Sequence, residues 1–496
     1  MYYNSTRDKG IRLTASEAIL KGLSDDGGLF VPEKIPKLEK SMKELSGLDY
    51  KELAFEVMRL LIDDFTEEEL KKCIDSAYGD NFDDDKIAPM SFADGSYYLE
   101  LFHGPTIAFK DMALQILPHL LTTSAKKNGV NDEIVILTST SGDTGKAAMA
   151  GFADVPNTRI MVFFPDGGVS DVQRLQMVTQ KGQNVSVVSV KGNFDDCQTG
   201  MKKILQDAGF KEEITSKGFR FSSANSINIG RLVPQIVYYA YAYCNLLKNE
   251  KISEEDKINI CVPTGNFGNI LAAYLAKKMG VPIDRLICAS NKNNVLTDFF
   301  ETGVYDRRRD FHLTMSPSMD ILISSNLERL IYFAAGCDDK VTSDMMSRLS
   351  KEGRYEITDT MREGLSDFIA GWASEEETAG EINRVYSDTG YLIDTHTAVA
   401  SAVAVKLKEE GKLSDAPIVT ASTASPYKFA RNIVKALKPE EDFGKLDDLQ
   451  MVDELEKLTD MPEPSAIREI REAKIRHDKL IEIEDMKAAV ADFLDL

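Results

Sequence analysis

Cysteine is scarce and scattered in this chain of 496 residues: six, at positions 73, 197, 244, 261, 288 and 337. No two form a C-x-x-C pair, so neither a zinc site nor a disulfide framework is indicated, no metal is expected, and a reducing cytoplasm fits. Long apolar runs are missing as well. None approaches the roughly 20 residues a membrane span needs, and the start Met1-Tyr2-Tyr3-Asn4 lacks the basic and apolar regions of a secretion signal. Positive charge is in deficit, with 59 Lys and Arg against 80 Asp and Glu and a net charge of −21. That excess argues against nucleic acid or an anionic membrane as partner, since neither attracts an acidic surface. Two phosphate signatures are absent too. No glycine loop has the G-x-G-x-x-G spacing with its later acidic residue, and no G-x-x-x-x-G-K-[ST] run occurs.

What is present begins with Lys110. It lies in Leu101-Phe102-His103-Gly104-Pro105-Thr106-Ile107-Ala108-Phe109-Lys110-Asp111, where a Gly-Pro loop gives way to an apolar helix. Flanked by Ile107, Ala108 and Phe109 before it and Met112, Ala113 and Leu114 after it, this lysine is expected to be partly buried. Burial disfavours the ammonium form, and a neutral amine can attack a carbonyl in Schiff-base chemistry. A snorkelling lysine at a helix start is the bland alternative for any isolated case.

Two glycine loops support the reactive reading. Ile258 to Pro263 reads as a short buried strand, Thr264-Gly265-Asn266-Phe267-Gly268-Asn269 as a loop, and Ile270 to Met279 as a helix. Gly265 and Gly268 let backbone N–H groups converge, and a helix N-terminus adds its positive end, which together suit a phosphate. Earlier, the strand Ile134 to Leu137 leads into Thr138-Ser139-Thr140-Ser141-Gly142-Asp143-Thr144-Gly145 and a helix from Lys146 to Phe152. Hydroxyls and N–H groups gathered at that helix start suit a carboxylate or phosphate, or else Ser141, Asp143 or Thr144 simply caps the helix. Two anion-holding loops and one reactive lysine suggest a phosphorylated carbonyl cofactor and an amino-acid substrate.

The lysine segment, the S-G-D-T-G loop and the G-N-F-G-N loop, in that order, resemble the threonine synthases, pyridoxal-phosphate (PLP) enzymes of the tryptophan-synthase-β fold group. The resemblance extends to Tyr3-Asn4-Ser5-Thr6-Arg7, to Asp26 through Glu33, to Ser222 through Asn228, to Met319 through Arg329, and to Asp394-Thr395-His396-Thr397-Ala398. It implies that Lys110 holds PLP as a Schiff base and then acts as base and acid. It implies further that Gly265, Asn266, Phe267, Gly268 and Asn269 hold the cofactor phosphate, and that Thr423 faces the pyridine nitrogen. On the substrate side Ser139, Ser141, Gly142, Asp143 and Thr144 match the loop for the α-carboxylate, although the charge of Asp143 opposes a direct contact. Arg231, Asn225, Ser226 and Asn228 are the candidates for the substrate phosphate, because a guanidinium gives paired bonds to a dianion. Lys146 is a further candidate there, and His103 either lines the site or is structural.

The implied reaction is a γ-replacement on O-phospho-L-homoserine. Protons leave Cα and Cβ, phosphate leaves Cγ, and protonation at Cγ with water addition at Cβ gives L-threonine. One departure is visible: Ser425 stands where many members of the family carry histidine. Another PLP lyase or dehydratase of the same fold group, or a non-catalytic ligand-binding relative, are the alternatives.

The organisation expected is α/β, with two doubly wound parallel-sheet domains enclosing the PLP site. Residues 1–92 form a helix-rich accessory domain, 93–235 the first α/β domain with the lysine and substrate loop, 236–440 the second with the phosphate loop, and 441–496 a charged helical tail. Strand-helix alternation implies parallel sheets with helices on both faces, and ligands then bind at the carboxyl ends of the strands. A small-molecule substrate and a monomer or homodimer are expected.

Overall fold

Two parallel sheets organise the chain, and the computed structural model describes all residues except Ser141 and Gly168. The smaller sheet has five strands in the order Lys479–Ile481, Val185–Val190, Thr158–Pro165, Glu133–Ser139 and Phe219–Ser222, all parallel. The larger has six, in the order Phe368–Trp372, Ile283–Ser290, Ile258–Pro263, Ile418–Ser422, Ser96–Glu100 and Met90–Ala93. Only the last pair of that sheet is antiparallel. The central strands are near-continuous apolar runs because helices cover both of their faces; every residue of Ile258–Pro263 is buried.

Strand pairing crosses the expected boundaries in two places. Ser96–Glu100, assigned to the first α/β part with Lys110, pairs in parallel with Ile418–Ser422 and so belongs to the larger sheet. The segment expected as a helical tail contributes Lys479–Ile481 to the edge of the smaller sheet. Strand order is a property of tertiary packing that sequence proximity to Lys110 does not encode, and the edge strand Lys479–Ile481, with two of its three residues exposed, carries no apolar pattern.

The N-terminal part joins a three-stranded antiparallel sheet, with Tyr3–Ser5 between Arg12–Leu13 and Phe30–Pro32, to a set of short helices. Four of these, Ala15–Lys21, Met42–Ser46, Tyr50–Met58 and Glu67–Ala77, start with reciprocal capping boxes. Met42–Ser46 and Tyr50–Met58 pack chiefly on the almost wholly buried helix Ile229–Lys248, and Glu67–Ala77 on Tyr50–Met58; the apolar character of Ile229–Lys248 on all sides is that of a helix surrounded by protein. Two residues of the block 319–329 tie this part to the larger sheet. Glu328 accepts from both Arg7 Nε (2.9 Å) and Nη2 (2.7 Å), and the buried Arg329 donates to the carbonyls of Phe30 (2.9 Å) and Ile227 (2.5 Å).

Among the described residues no helix is long and apolar enough to cross a membrane, and no cluster of three or more His, Cys, Asp and Glu could hold a metal ion.

Candidate active site at the carboxyl ends of the two sheets

Lys110 is positioned by a zipper between two segments that leave neighbouring strands of the larger sheet. Leu101 N–H donates to Ser422 O (2.9 Å), Phe109 N–H to Thr423 O (2.8 Å), and Ser425 N–H to Ile107 O (3.0 Å). Between these bonds the chain turns sharply. Ile107 adopts φ 52°, a costly conformation for a β-branched residue that persists only where the surroundings impose it. Asp111 supplies part of that constraint, accepting from Thr106 N–H (2.8 Å) and Oγ1 (2.7 Å). Gly104 must be glycine here, since a Cβ would sit 2.5 Å from that of Asp111.

The amine of Lys110 lies 3.4 Å from Asp143 Oδ2 and 3.3 Å from Ser318 Oγ. Burial depresses its pKa; Asp143 opposes that shift, while the charges of Lys428 and Arg231 add to it. Asp143 is the junction of the cluster. Its Oδ2 also accepts from Ser318 Oγ at 3.0 Å, and its Oδ1 from Gln173 Nε2 at 3.0 Å and Lys428 Nζ at 3.1 Å. Burial would raise its pKa, yet Lys428 first and then Lys110 hold it far below the usual carboxylate range. The charge of Asp143 is thus directed at lysines rather than toward the loop's candidate anion site.

Ser318 reaches this cluster because a buried histidine grips its backbone. Ser318 N–H donates to His396 Nε2 (3.1 Å), and Asp394 Oδ1 lies 2.9 Å from His396 Nδ1. The acceptor role at Nε2 leaves the proton on Nδ1, pointing at Asp394. Asp394 also caps the helix Thr395–Glu409 through the His396 and Thr397 amides.

On the other side of the site, the loop after Ile258–Pro263 curls under the helix Gly268–Met279. Among the described residues, the five backbone N–H groups from Gly265 to Asn269 donate to no protein acceptor. Their carbonyls hold the loop in place: Ser324 Oγ donates to Gly265 O (2.7 Å), while Asn326 N–H and Nδ2 donate to Asn266 O (3.1 and 3.0 Å). Phe267 has φ 65°, and its ring packs 5.9 Å from that of Phe368 and 6.1 Å from that of Phe300, so the side chain anchors the loop. Asn269 Oδ1 accepts from Tyr238 (2.6 Å) and Tyr239 (2.5 Å), leaving its buried Nδ2 without a partner. Thr423 is buried just beyond its strand, and its hydroxyl makes no hydrogen bond to the described protein.

The substrate-side candidates divide. Ser139 Oγ is buried and unpartnered, whereas Ser141 lies outside the described residues. Gly142 has φ 143° and no room for a Cβ, which would meet Gln173 at 2.3 Å. Thr144 is half-buried in the first turn of the helix Asp143–Phe152. Arg231 is buried with Nη1 on Ala224 O (3.0 Å), its Nε unpartnered and, among the described residues, no carboxylate within ion-pair distance; burial pushes its pKa down to about 10. Asn228 is committed elsewhere: it caps Ile229–Lys248 through Gly230 N–H and donates to Ile19 O (3.0 Å) and Ser223 O (2.8 Å). Asn225 is exposed and Ser226 half-buried. Lys146, with its pKa lowered to about 8 by burial, points at Gln180 Oε1 (2.5 Å). His103 lies between Asp83 Oδ1 (2.5 Å) and Glu100 Oε2 (2.9 Å) in a structural clasp. Ser425 caps the short helix Pro426–Phe429.

Four contributors escaped the reading of the sequence: Ser318, His396, Gln173 and Lys428. Only Lys428 left a local trace, a lysine inside the apolar run Tyr427-Lys428-Phe429-Ala430.

Comparison with known proteins adds the following. Three family models match in succession: "Threonine synthase N terminus" over residues 2–78, "Pyridoxal-phosphate dependent enzyme" over 96–357, and "Threonine synthase, C-terminal" over 397–477. Human threonine synthase-like 1 is 44% identical over 439 residues, covering 86% of this chain and 58% of its own length, so the chain spans under two thirds of that relative. The threonine synthase of Pseudomonas aeruginosa is 40% identical over 444 residues, with 88% of this chain and 90% of that protein covered. Among solved structures, PLP-bound threonine synthase from Brucella melitensis superposes with a TM-score of 0.88 at 34% identity, over 100% of both chains.

Proposed function

The chain belongs to the threonine synthase family, and from that premise we propose that it binds pyridoxal 5'-phosphate and converts O-phospho-L-homoserine and water to L-threonine and phosphate. The observation that carries this reading is the meeting of the Lys110 amine, depressed in pKa by burial, with a second pole of unpaired backbone donors at Gly265 to Asn269.

The residues fit the cofactor on their own chemistry. Five free N–H groups at the start of the helix Gly268–Met279 suit a phosphate dianion, with the helix dipole adding to them. The buried orphan Nδ2 of Asn269 offers one more donor. The free hydroxyl of Thr423 suits a pyridine nitrogen, and being neutral it leaves that nitrogen unprotonated. When bound, PLP supplies the electron sink that stabilises negative charge beside the substrate's α-carbon.

The protein's own part is proton transfer and anion binding. Lys110, neutral at a pH where ordinary lysines are charged, accepts the protons from Cα and Cβ and returns one at Cγ and, after water has added at Cβ, the other at Cα. Ser318 Oγ, within hydrogen-bond distance of both the amine and Asp143, steadies the amine between transfers. Arg231 has a free Nε and no carboxylate to neutralise it, which suits the substrate phosphate before and after it leaves Cγ. The buried, unpartnered Ser139 hydroxyl and the nearby Thr144 suit the α-carboxylate. Six unpaired thiols support a reducing, cytoplasmic setting.

The test is an assay of purified protein given PLP and O-phospho-L-homoserine, with phosphate and threonine quantified together and Lys110→Ala as control. Equal amounts of both products, lost in the variant, are expected. Phosphate accompanied by a keto acid instead would make the protein a lyase of the same fold group.

A further inference from the structure

Lys428 is a lysine with no route to water. Its side chain is 0% exposed, and its Nζ has two fixed partners, Thr106 O at 2.9 Å and Asp143 Oδ1 at 3.1 Å. The first partner cannot drift, because Thr106 is clamped by its amide and hydroxyl to the carboxylate of Asp111. The backbone of Lys428 is equally held, its N–H on Ser425 O, within the segment zipped against the Lys110 loop. One rigid unit therefore carries Lys428, Thr106 and the approach to Lys110.

The two oxygens of Asp143 divide the two lysines, Lys428 on Oδ1 and Lys110 on Oδ2. This division matters for what happens when Lys110 loses its proton. With Lys110 as the sole counter-ion, deprotonation would strand a buried carboxylate without a partner. With Lys428 on the other oxygen, the departing proton leaves a closed ion pair behind. We propose that Lys428 is a positioning residue that serves as the permanent counter-ion of Asp143, freeing the Lys110 amine to become neutral while Asp143 still orients it.

The other groups around Lys110 work in the same direction or are neutral. Arg231, on Ile229–Lys248, adds positive charge; Ser318 is an uncharged bridge; Gln173 and His396 face Asp143 from their own helices. Asp111 and Lys146 are charged neighbours of each other and of Lys428. Cations thus outnumber Asp143, the one carboxylate that Lys110 touches, which also suits a site for two phosphate groups. The inference rests on the proposed role of Lys110, but its test does not require turnover.

The experiment is competitive labelling of the cofactor-free full-length chain with trace acetic anhydride across pH, Lys110 being followed by peptide mass spectrometry. Wild-type Lys110 should label with a midpoint below the ordinary lysine value of about 10.4. Lys428→Met should move that midpoint up by roughly one unit or more, the size of a nearby charge effect. Lys428→Gln, which keeps donors for Thr106 and Asp143, should do the same if the methionine variant fails to fold, and Lys428→Arg should restore the low midpoint. An ordinary midpoint in the wild type, or an unshifted one in a folded Met or Gln variant, would overturn the proposal. Failure of the threonine assay with these labelling shifts intact would instead overturn the assigned reaction.

Discussion

The amine pole and the phosphate pole of this site manage charge by opposite means. Around Lys110 the work falls to side chains from four separate segments, a carboxylate divided between two lysines with a serine bridging. Around residues 265–269 it falls to backbone N–H groups of one contiguous loop, held by the neutral side chains of Ser324 and Asn326. The difference matches the proposed tasks. An amine that must gain and lose protons needs titratable neighbours to tune it, whereas a phosphate that only anchors a molecule needs donors whose strength is independent of pH.

The sharpest way to probe the contrast is to disturb the phosphate pole without changing any charge. In Gly265→Ala the new Cβ would lie 2.6 Å from the carbonyl oxygen of Ser318, a backbone atom that cannot swing aside. Overpacking of that kind costs about 1–3 kcal/mol, so PLP affinity, read by absorbance titration, should fall by roughly tenfold to a hundredfold. Gly268→Ala is the companion, because its Cβ would meet Asn326 Nδ2 at an ordinary 3.4 Å. It should bind within about twofold of wild type, and equal damage from both changes would mean that the loop answers to glycine content rather than to the Ser318 contact.

A smaller effect is expected at the amine pole from Ser318→Ala. The hydroxyl bridge between Lys110 and Asp143 disappears, while the backbone bond to His396 that holds the segment survives. Loss of one such bond is worth about 1 kcal/mol, so turnover should fall about fivefold with PLP affinity unchanged. A matching loss of affinity would show that the two poles are not separable.

The same contrast explains which parts of the site were legible in the sequence. A phosphate pole built from consecutive residues prints itself as G-N-F-G-N between an apolar strand and a helix, and the buried strands print themselves as apolar runs. Lys110 was legible from its apolar flanks. Its partners were not: Ser318 lies 208 residues away, and the carbonyl that fixes Lys428 lies 322 residues from it. Periodicity reports which face of an element is buried, not which distant element covers it, so the move of Ser96–Glu100 into the larger sheet was equally hidden. Lys479–Ile481 was hidden for a different reason. Two of its three residues are exposed, leaving no apolar pattern to read. Asn228 shows the reverse error, in which a residue attractive as a ligand was in fact a local helix cap.

Assigning pH effects to the amine pole requires that the fold itself not titrate in the same range, and His103 is the group that would blur the distinction. Burial disfavours its charge, but Asp83 and Glu100 override that and raise its pKa to about 9 from 6.5. A histidine whose folded pKa is raised contributes stability that is complete below the unfolded value and is lost as pH rises through the folded one. The clasp should therefore weaken between about pH 6.5 and 9, lowering the melting temperature by a few degrees at most because the group is partly solvated. In His103→Gln that slope should flatten, with the Lys110 labelling midpoint unmoved. A midpoint that follows His103 instead would place the pH response in the clasp, and the contrast between a titrating pole and a silent one would then describe the fold's periphery rather than its site.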